Sequence, residues 1–150
     1  MLSSLLGKEM AMIKVMVVDD EIYFATNIAA LLRANNPELD VIAVYNPVEA
    51  LKQLEQSSYD IVITDVRMPK MSGIDFIKTI KRQWPTTSVI IMTAYGSQQT
   101  RESAFQTGTL FYIEKPFRIE KLEALLAIAG KPREKKAKQK APAKAASKNI

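Results

Sequence analysis

The 150-residue chain contains neither cysteine nor histidine. Without cysteine there are no disulfides, no thiolate metal sites and no thiol nucleophile. Such a chain suits a reducing compartment, and we expect a cytoplasmic protein. The lack of histidine excludes Ser-His-Asp and Cys-His catalysis, His-ligated zinc and a histidine pH switch. It also leaves the chain no imidazole on which to carry a phosphoryl group. No apolar run approaches the ~18 residues that suggest a bilayer span, so no membrane attachment is expected. Met1–Leu6 is too short for a signal-peptide core, and Lys8 and Glu9 follow at once. Residues 1–12 show no periodicity and read as a leader, with Met10 and Met12 as alternative starts.

Positive charge is not in excess over most of the chain despite a net charge of +5. Residues 131–150 hold 8 basic side chains and 1 acidic one, a balance of +7, while the first 130 hold 13 and 15, a balance of −2. A slightly acidic domain therefore precedes a basic tail. The tail is Lys-, Ala- and Pro-rich and almost without large apolar residues, so burial cannot offset its ordering entropy and we expect disorder. Its lysines, Lys131 to Lys148, would support weak, salt-dependent nucleic-acid association. The plainer alternative is a solvated extension, and no aromatics interleave the lysines for base stacking.

What remains reads as one domain over residues 13–130, long enough to bury a real core. Five apolar segments alternate with helical patterns. The expected strands are Ile13–Val18, Val41–Tyr45, Ile61–Ile63 running to Asp65, Ser88–Thr93 and Leu110–Ile113. Between them, Phe24, Ile28, Leu31 and Leu32 mark one helix face, and Val48, Leu51 and Leu54 a second. Ile74, Ile77, Ile80 and Trp84 mark a third. A thin face of Ala104 and Phe105 follows, ended by Gly108, and Ile119, Leu122, Leu125 and Leu126 mark the last. Asn46-Pro47 and Ser72-Gly73 are helix starts. This alternation predicts an α/β fold, a parallel sheet covered by helices on both faces.

A parallel sheet brings every strand's carboxyl end to one edge, where open α/β sheets bind ligands. That edge collects Asp19, Asp20, Asp65, Thr93 and Lys115. Asp65 alone reads equally as the cap of the following turn. Lys115 could be an ordinary solvated lysine, and Thr93 and Tyr112 ordinary strand residues. Together they suggest more. Three carboxylates without a cation repel and raise one another's pKa values, and oxygen ligands alone suit Mg²⁺. A divalent ion, a lysine and a hydroxyl are the parts that hold a phosphoryl group. Asp65 would then be the nucleophile that forms an aspartyl phosphate.

The sequence resembles the receiver domain of two-component response regulators over roughly residues 13–129. The matching segments are Val17-Val18-Asp19-Asp20-Glu21, Asp65-Val66-Arg67-Met68-Pro69-Lys70-Met71-Ser72-Gly73, Met92-Thr93-Ala94 and Lys115-Pro116-Phe117. The resemblance implies a flavodoxin-like (βα)₅ fold with strand order 2-1-3-4-5 and a cis Lys115–Pro116 bond. It further implies that Asp65 is the phosphoacceptor, with Mg²⁺ held by Asp20 directly, by Asp19 through water, and by Asp65 and the main-chain carbonyl of Arg67. Lys115 would pair with the phosphoryl oxygens, Thr93 would move toward them, and Tyr112 would change rotamer with the phosphorylation state. Arg67 and Tyr95 lie where side chains influence the attacking water. Two positions depart from the pattern: Thr109 where Ala is usual, and Phe111 where an acidic residue is common.

These implications predict a switch rather than a turnover enzyme. The phosphoryl group would come from a sensor histidine kinase or a histidine phosphotransfer protein. A downstream protein, or a phosphorylation-linked dimer through the fourth helix, fifth strand and fifth helix, would read the altered surface. No helix-turn-helix output domain fits after Gly130, so a single-domain regulator is expected. Three rivals remain. The domain could serve as an interaction module without phosphorylation, or the tail could act on nucleic acid. The third, a metal-dependent hydrolase, lacks its second catalytic carboxylate and its substrate pocket. No Gly-rich nucleotide loop is present.

Overall fold

Alternation within each strand builds the core. The structure, a computed structural model, describes residues 12–67, 71–94, 98–109 and 111–130. The expected leader (1–11 of it), Tyr95 and the tail lie outside these residues. The elements are β1 (Ile13–Val18), α1 (Ile22–Asn35), β2 (Leu39–Val44), α2 (Pro47–Gln56), β3 (Ile61–Asp65), α3 (Gly73–Gln83), β4 (Ser88–Thr93), α4 (Gln98–Gln106), β5 (Phe111–Glu114) and α5 (Ile119–Ala129). All strand pairings are parallel and the order is β2-β1-β3-β4-β5. This is the flavodoxin-like arrangement expected from the resemblance.

Successive side chains on a strand point to opposite faces, and the two buried clusters follow that rule. Val15, Val17, Ile61, Ile63, Ile90, Met92 and Ile113 pack with α1 and α5. Met16, Val18, Val62, Val89 and Ile91 pack with α2, α3 and α4. The central strands carry no polar alternation because both of their faces are covered.

Helix starts follow the capping residues. The Asn46 side chain accepts from the Glu49 N–H at 2.8 Å, and Ser72 Oγ accepts from the N–H groups of Ile74 and Asp75. Gly108 closes α4 with φ +93, a conformation only glycine adopts without strain.

Several details differ from the sequence pattern, among them Phe105, expected with Ala104 on the apolar face of α4 and 45% exposed. Leu31 is 45% exposed and Val48 46% exposed, so neither belongs to its helix's buried face. In α1 the buried stripe is Ala25, Ile28, Ala29 and Leu32; two alanines let the helix lie close to the sheet, which turns Leu31 outward. In α2, Pro47, Ala50 and Leu54 do the same to Val48. β2 begins two residues early, at Leu39, because Asp40 faces solvent on an edge strand while Leu39 and Val41 face the core. It ends at Val44, since Tyr45 turns out to meet Thr26 Oγ1 at 3.0 Å. β5 runs Phe111–Glu114, one residue later than expected; Leu110 is outside the described residues.

Candidate phosphoryl-transfer site at the carboxyl edge of the sheet

Asp19 continues the face of Val15 and Val17, Asp65 that of Ile61 and Ile63, and Lys115 that of Ile113. Strand parity therefore delivers all three to the same side of one edge, beside α1 and α5. Lys115 Nζ donates to Asp19 Oδ2 at 2.7 Å and to Asp65 Oδ2 at 3.0 Å. The Lys115 side chain is 10% exposed, Asp19 fully buried and Asp65 8% exposed. Glu21 Oε1 approaches the same ammonium at 3.4 Å from the rim. The main-chain N–H of Lys115 donates to the Thr93 carbonyl at 2.8 Å, and the Lys115–Pro116 bond is cis.

The second carboxylate oxygens have a matching use. Asp19 Oδ1 accepts from the Glu21 N–H at 2.9 Å, and Asp65 Oδ1 from the Arg67 N–H at 2.8 Å. Both are side-chain turns spanning two residues, the local habit of aspartate. Capping and site chemistry are thus not alternatives for Asp65. One oxygen fixes the carboxylate plane while the other faces Lys115.

Asp20 follows the end of β1 and is exposed. Among the described residues no three acidic groups gather as a metal cage. The residues nevertheless fit Mg²⁺. One lysine stands against two buried carboxylates, leaving negative charge unbalanced, and all side-chain donors are oxygens, as a hard ion that keeps its waters prefers. Burial pushes the Asp19 carboxyl above its ordinary 3.8; Lys115 and the Glu21 N–H pull it back, and the Asp65 charge adds to the rise.

The sign of that shift gives a test. A carboxyl raised on folding binds its proton more tightly in the native state, so metal-free stability falls as pH climbs from 3.8 through the raised value. Asp19→Asn removes this penalty. In chelator at neutral pH its denaturation midpoint should exceed that of wild type, and added Mg²⁺ should raise it less. A variant less stable than wild type in chelator would mean that the Lys115 contact outweighs the burial cost.

Thr93 and Tyr112 lie elsewhere. Parity places Thr93 with Val89 and Ile91, and Tyr112 packs on the same α2–α4 face, its ring 6.2 Å from that of Phe105. Thr93 is buried at the end of β4, one residue beyond the partner of Asp65. The acid–lysine group and the Thr93–Tyr112 pair thus occupy opposite faces of one edge. Thr109 is buried, with its hydroxyl 3.0 Å from that of Thr107, and Phe111 packs against the α1–α5 cluster. Sequence reasoning placed Phe24 on the apolar face of its helix but not beside the site, where its ring lies under Lys115 Nζ at 4.3 Å. Its place one helical turn after Glu21 was the available signal.

A doubly wound sheet with paired aspartates and a lysine at its carboxyl edge defines a receiver-type phosphorylation domain. Residues 15–127 match the family described as Response regulator receiver domain. The chain is 40% identical over 117 residues to the transcriptional regulatory protein ZraR of Escherichia coli K12, covering 78% of this chain and 26% of that protein. Among solved structures, a response regulator receiver domain protein from Clostridium thermocellum superimposes with a TM-score of 0.75 at 32% identity, covering 83% of this chain and 98% of that one. The Vibrio cholerae chemotaxis protein CheY4 gives 0.74 at 28% identity, covering 79% and 99%. The chain belongs to the response regulator receiver family. Members of this family are phosphorylated on aspartate with Mg²⁺ bound, in two-component signalling. The chain spans about a quarter of the length of the ZraR relatives it matches, so these matches do not support the expected single-domain architecture. No helix among the described residues is long and apolar enough to cross a membrane.

Proposed function

We propose that this chain is a phosphorylation switch in which Asp65 accepts a phosphoryl group from a sensor histidine kinase or a histidine phosphotransfer protein. The observation that carries the proposal is the Lys115 ammonium shared between Asp19 and Asp65 at one sheet edge. The Arg67 N–H orients the Asp65 carboxylate, and an Asp65 oxygen forms the O–P bond as the donor's P–N bond breaks, its electron pair leaving with the imidazole. Asp19, Asp20, Asp65 and the main-chain carbonyl of Arg67 would hold Mg²⁺, which when bound neutralises charge on the phosphoryl oxygens. Lys115 turns from the carboxylates to those oxygens. The phosphoryl group brings up to about two negative charges, which draw the Thr93 hydroxyl in and let Tyr112 settle behind it. The α4 surface then differs for a downstream protein or for a second copy of the chain.

The test is intact mass after incubation with acetyl phosphate and Mg²⁺. A phosphate-sized gain is expected in wild type and none in Asp65→Asn. Gain in both would place the acceptor elsewhere; gain in neither would leave an interaction module that works without phosphorylation. Mass is the proper readout, because Trp84 closes α3 at the opposite sheet edge.

Weak nucleic-acid association through Lys131 to Lys148 is a second reading carried by the +7 balance of the tail. It predicts DNA retention that falls with salt and disappears in a 1–130 truncation.

A further inference from the structure

Lys115 has one more neighbour than the phosphoryl chemistry requires. Its ammonium lies 4.3 Å from the centroid of the Phe24 ring, on α1. That ring stands at 83° to Phe117, with centroids 6.0 Å apart, and Phe117 follows Lys115 by two residues. The ammonium is therefore bounded by Asp19 and Asp65 on one side and by an aromatic on another, with Glu21 at the rim. Phe24 also packs at the margin of the core, a task a leucine would perform as well. What a leucine lacks is the negative face of the ring, which attracts a cation without an oxygen to grip it.

This difference matters for a lysine that has to move. Resting Lys115 is hydrogen-bonded to the buried carboxylates of Asp19 and Asp65 and more loosely to the exposed Glu21 at 3.4 Å, and it must give up part of that bonding to reach phosphoryl oxygens. Water on its free side would compete for the released N–H groups. A buried carboxylate in place of the ring would add to the hold of Asp19, Asp65 and Glu21. We propose that Phe24, braced by Phe117, is a positioning residue for Lys115: its ring face keeps the ammonium dry and aimed at Asp65 while the lysine passes from the carboxylates to the incoming phosphoryl group. The proposal rests on Asp65 being the acceptor.

The test uses the full chain with phenylalanine at position 24 replaced by leucine or by ring-fluorinated phenylalanines, which drain the negative ring face at nearly constant shape. Phosphorylation by acetyl phosphate should slow about threefold to tenfold in Phe24→Leu, within the range of exposed to desolvated cation–ring contacts. It should slow stepwise with fluorine number, while the thermal midpoint of the fluorinated proteins stays near that of wild type. In the metal-free protein the Lys115 ε-methylene protons should be shifted upfield by the ring and return to ordinary values in Phe24→Leu. Fluorinated proteins phosphorylated at the wild-type rate, or Lys115 protons with no upfield shift, would overturn the proposal. Loss of phosphorylation in wild type itself points to the acceptor assignment, and the proton shifts then decide the placement of Phe24 independently.

Discussion

Lys115→Met should destabilise the metal-free protein by on the order of 2–4 kcal/mol, the scale of breaking a buried ion pair by removing one partner. The substitution keeps the length of the side chain and leaves the Asp19 and Asp65 carboxylates facing each other, both buried. The two signs of pH dependence separate this from a packing defect. In wild type, burial alone would lower the Lys115 ammonium, but its hydrogen bonds to Asp19 and Asp65, and their charges, outweigh burial and hold it above 10.5. Its contribution is then complete below 10.5 and lost as pH rises through the raised value. In the variant the carboxylates have no cation, so their native-state affinity for protons rises and stability should recover on acidification. Added Mg²⁺ should recover it as well, since the ion neutralises the same charge. Denaturation midpoints at pH 5 and pH 8, in chelator and in Mg²⁺, check this. A loss of stability identical under all four conditions would assign the effect to lost packing of the lysine stem. Phosphate uptake should fall steeply even where Mg²⁺ restores the fold, because nothing else in the described site offers a cation to the phosphoryl oxygens from that side.

Much of this site is legible because strand parity and strand direction are properties of the chain itself. Once β1, β3 and β5 are parallel, Asp19, Asp65 and Lys115 must reach one edge, and counting by two from Val17, Ile63 and Ile113 puts them on one face. Thr93 and Tyr112 count onto the other. The same rule explains why Asp19 and not Asp20 is buried between the elements. What could not be read was the depth at which each helix lies. Leu31 and Val48 have the right residue type for a core face, yet alanines at 25, 29 and 50 take the buried places. A small residue under a helix is a packing decision made by the sheet opposite, invisible in the helix's own periodicity. Asp40 hid the start of β2 for a related reason, since an edge strand tolerates a solvent-facing carboxylate that a central strand would not.

The two departures at the end of α4 also acquire physical content. A buried hydroxyl needs a partner, and Thr109 has one in Thr107, whose own hydroxyl is bonded to the Ala104 carbonyl. The threonine pair thereby ties the entrance of β5 to the last turn of α4. Phe111 packs its ring against the α1–α5 cluster and not on the face that carries Tyr112. The surface beside Tyr112 is left to Phe105, which is 45% exposed.

Gly73→Ala should cost about 2–3 kcal/mol, the scale of overpacking a filled interior, at a position where helix propensity alone predicts a gain. Gly73 begins α3, and its N–H donates to the Val66 carbonyl at 3.2 Å. A β-carbon there would run into the backbone of Val66, at its Cα, carbonyl carbon and carbonyl oxygen. No side chain can swing away, so the chain itself must shift. The segment that shifts is the one holding the site, since Val66 directly follows Asp65 and precedes the Arg67 N–H that orients its carboxylate. Phosphorylation by acetyl phosphate should therefore slow on the order of tenfold to a hundredfold, as displacements near 1 Å do for reacting groups. Gly108→Ala is the contrasting case. At φ +93 with open space around it, the added methyl strains only the local backbone, far from Asp65. Its stability should fall while its phosphorylation rate stays near that of wild type. Equal losses of rate in the two variants would show that the site responds to global stability, and the close approach of α3 to Val66 would then carry no special role in aiming Asp65.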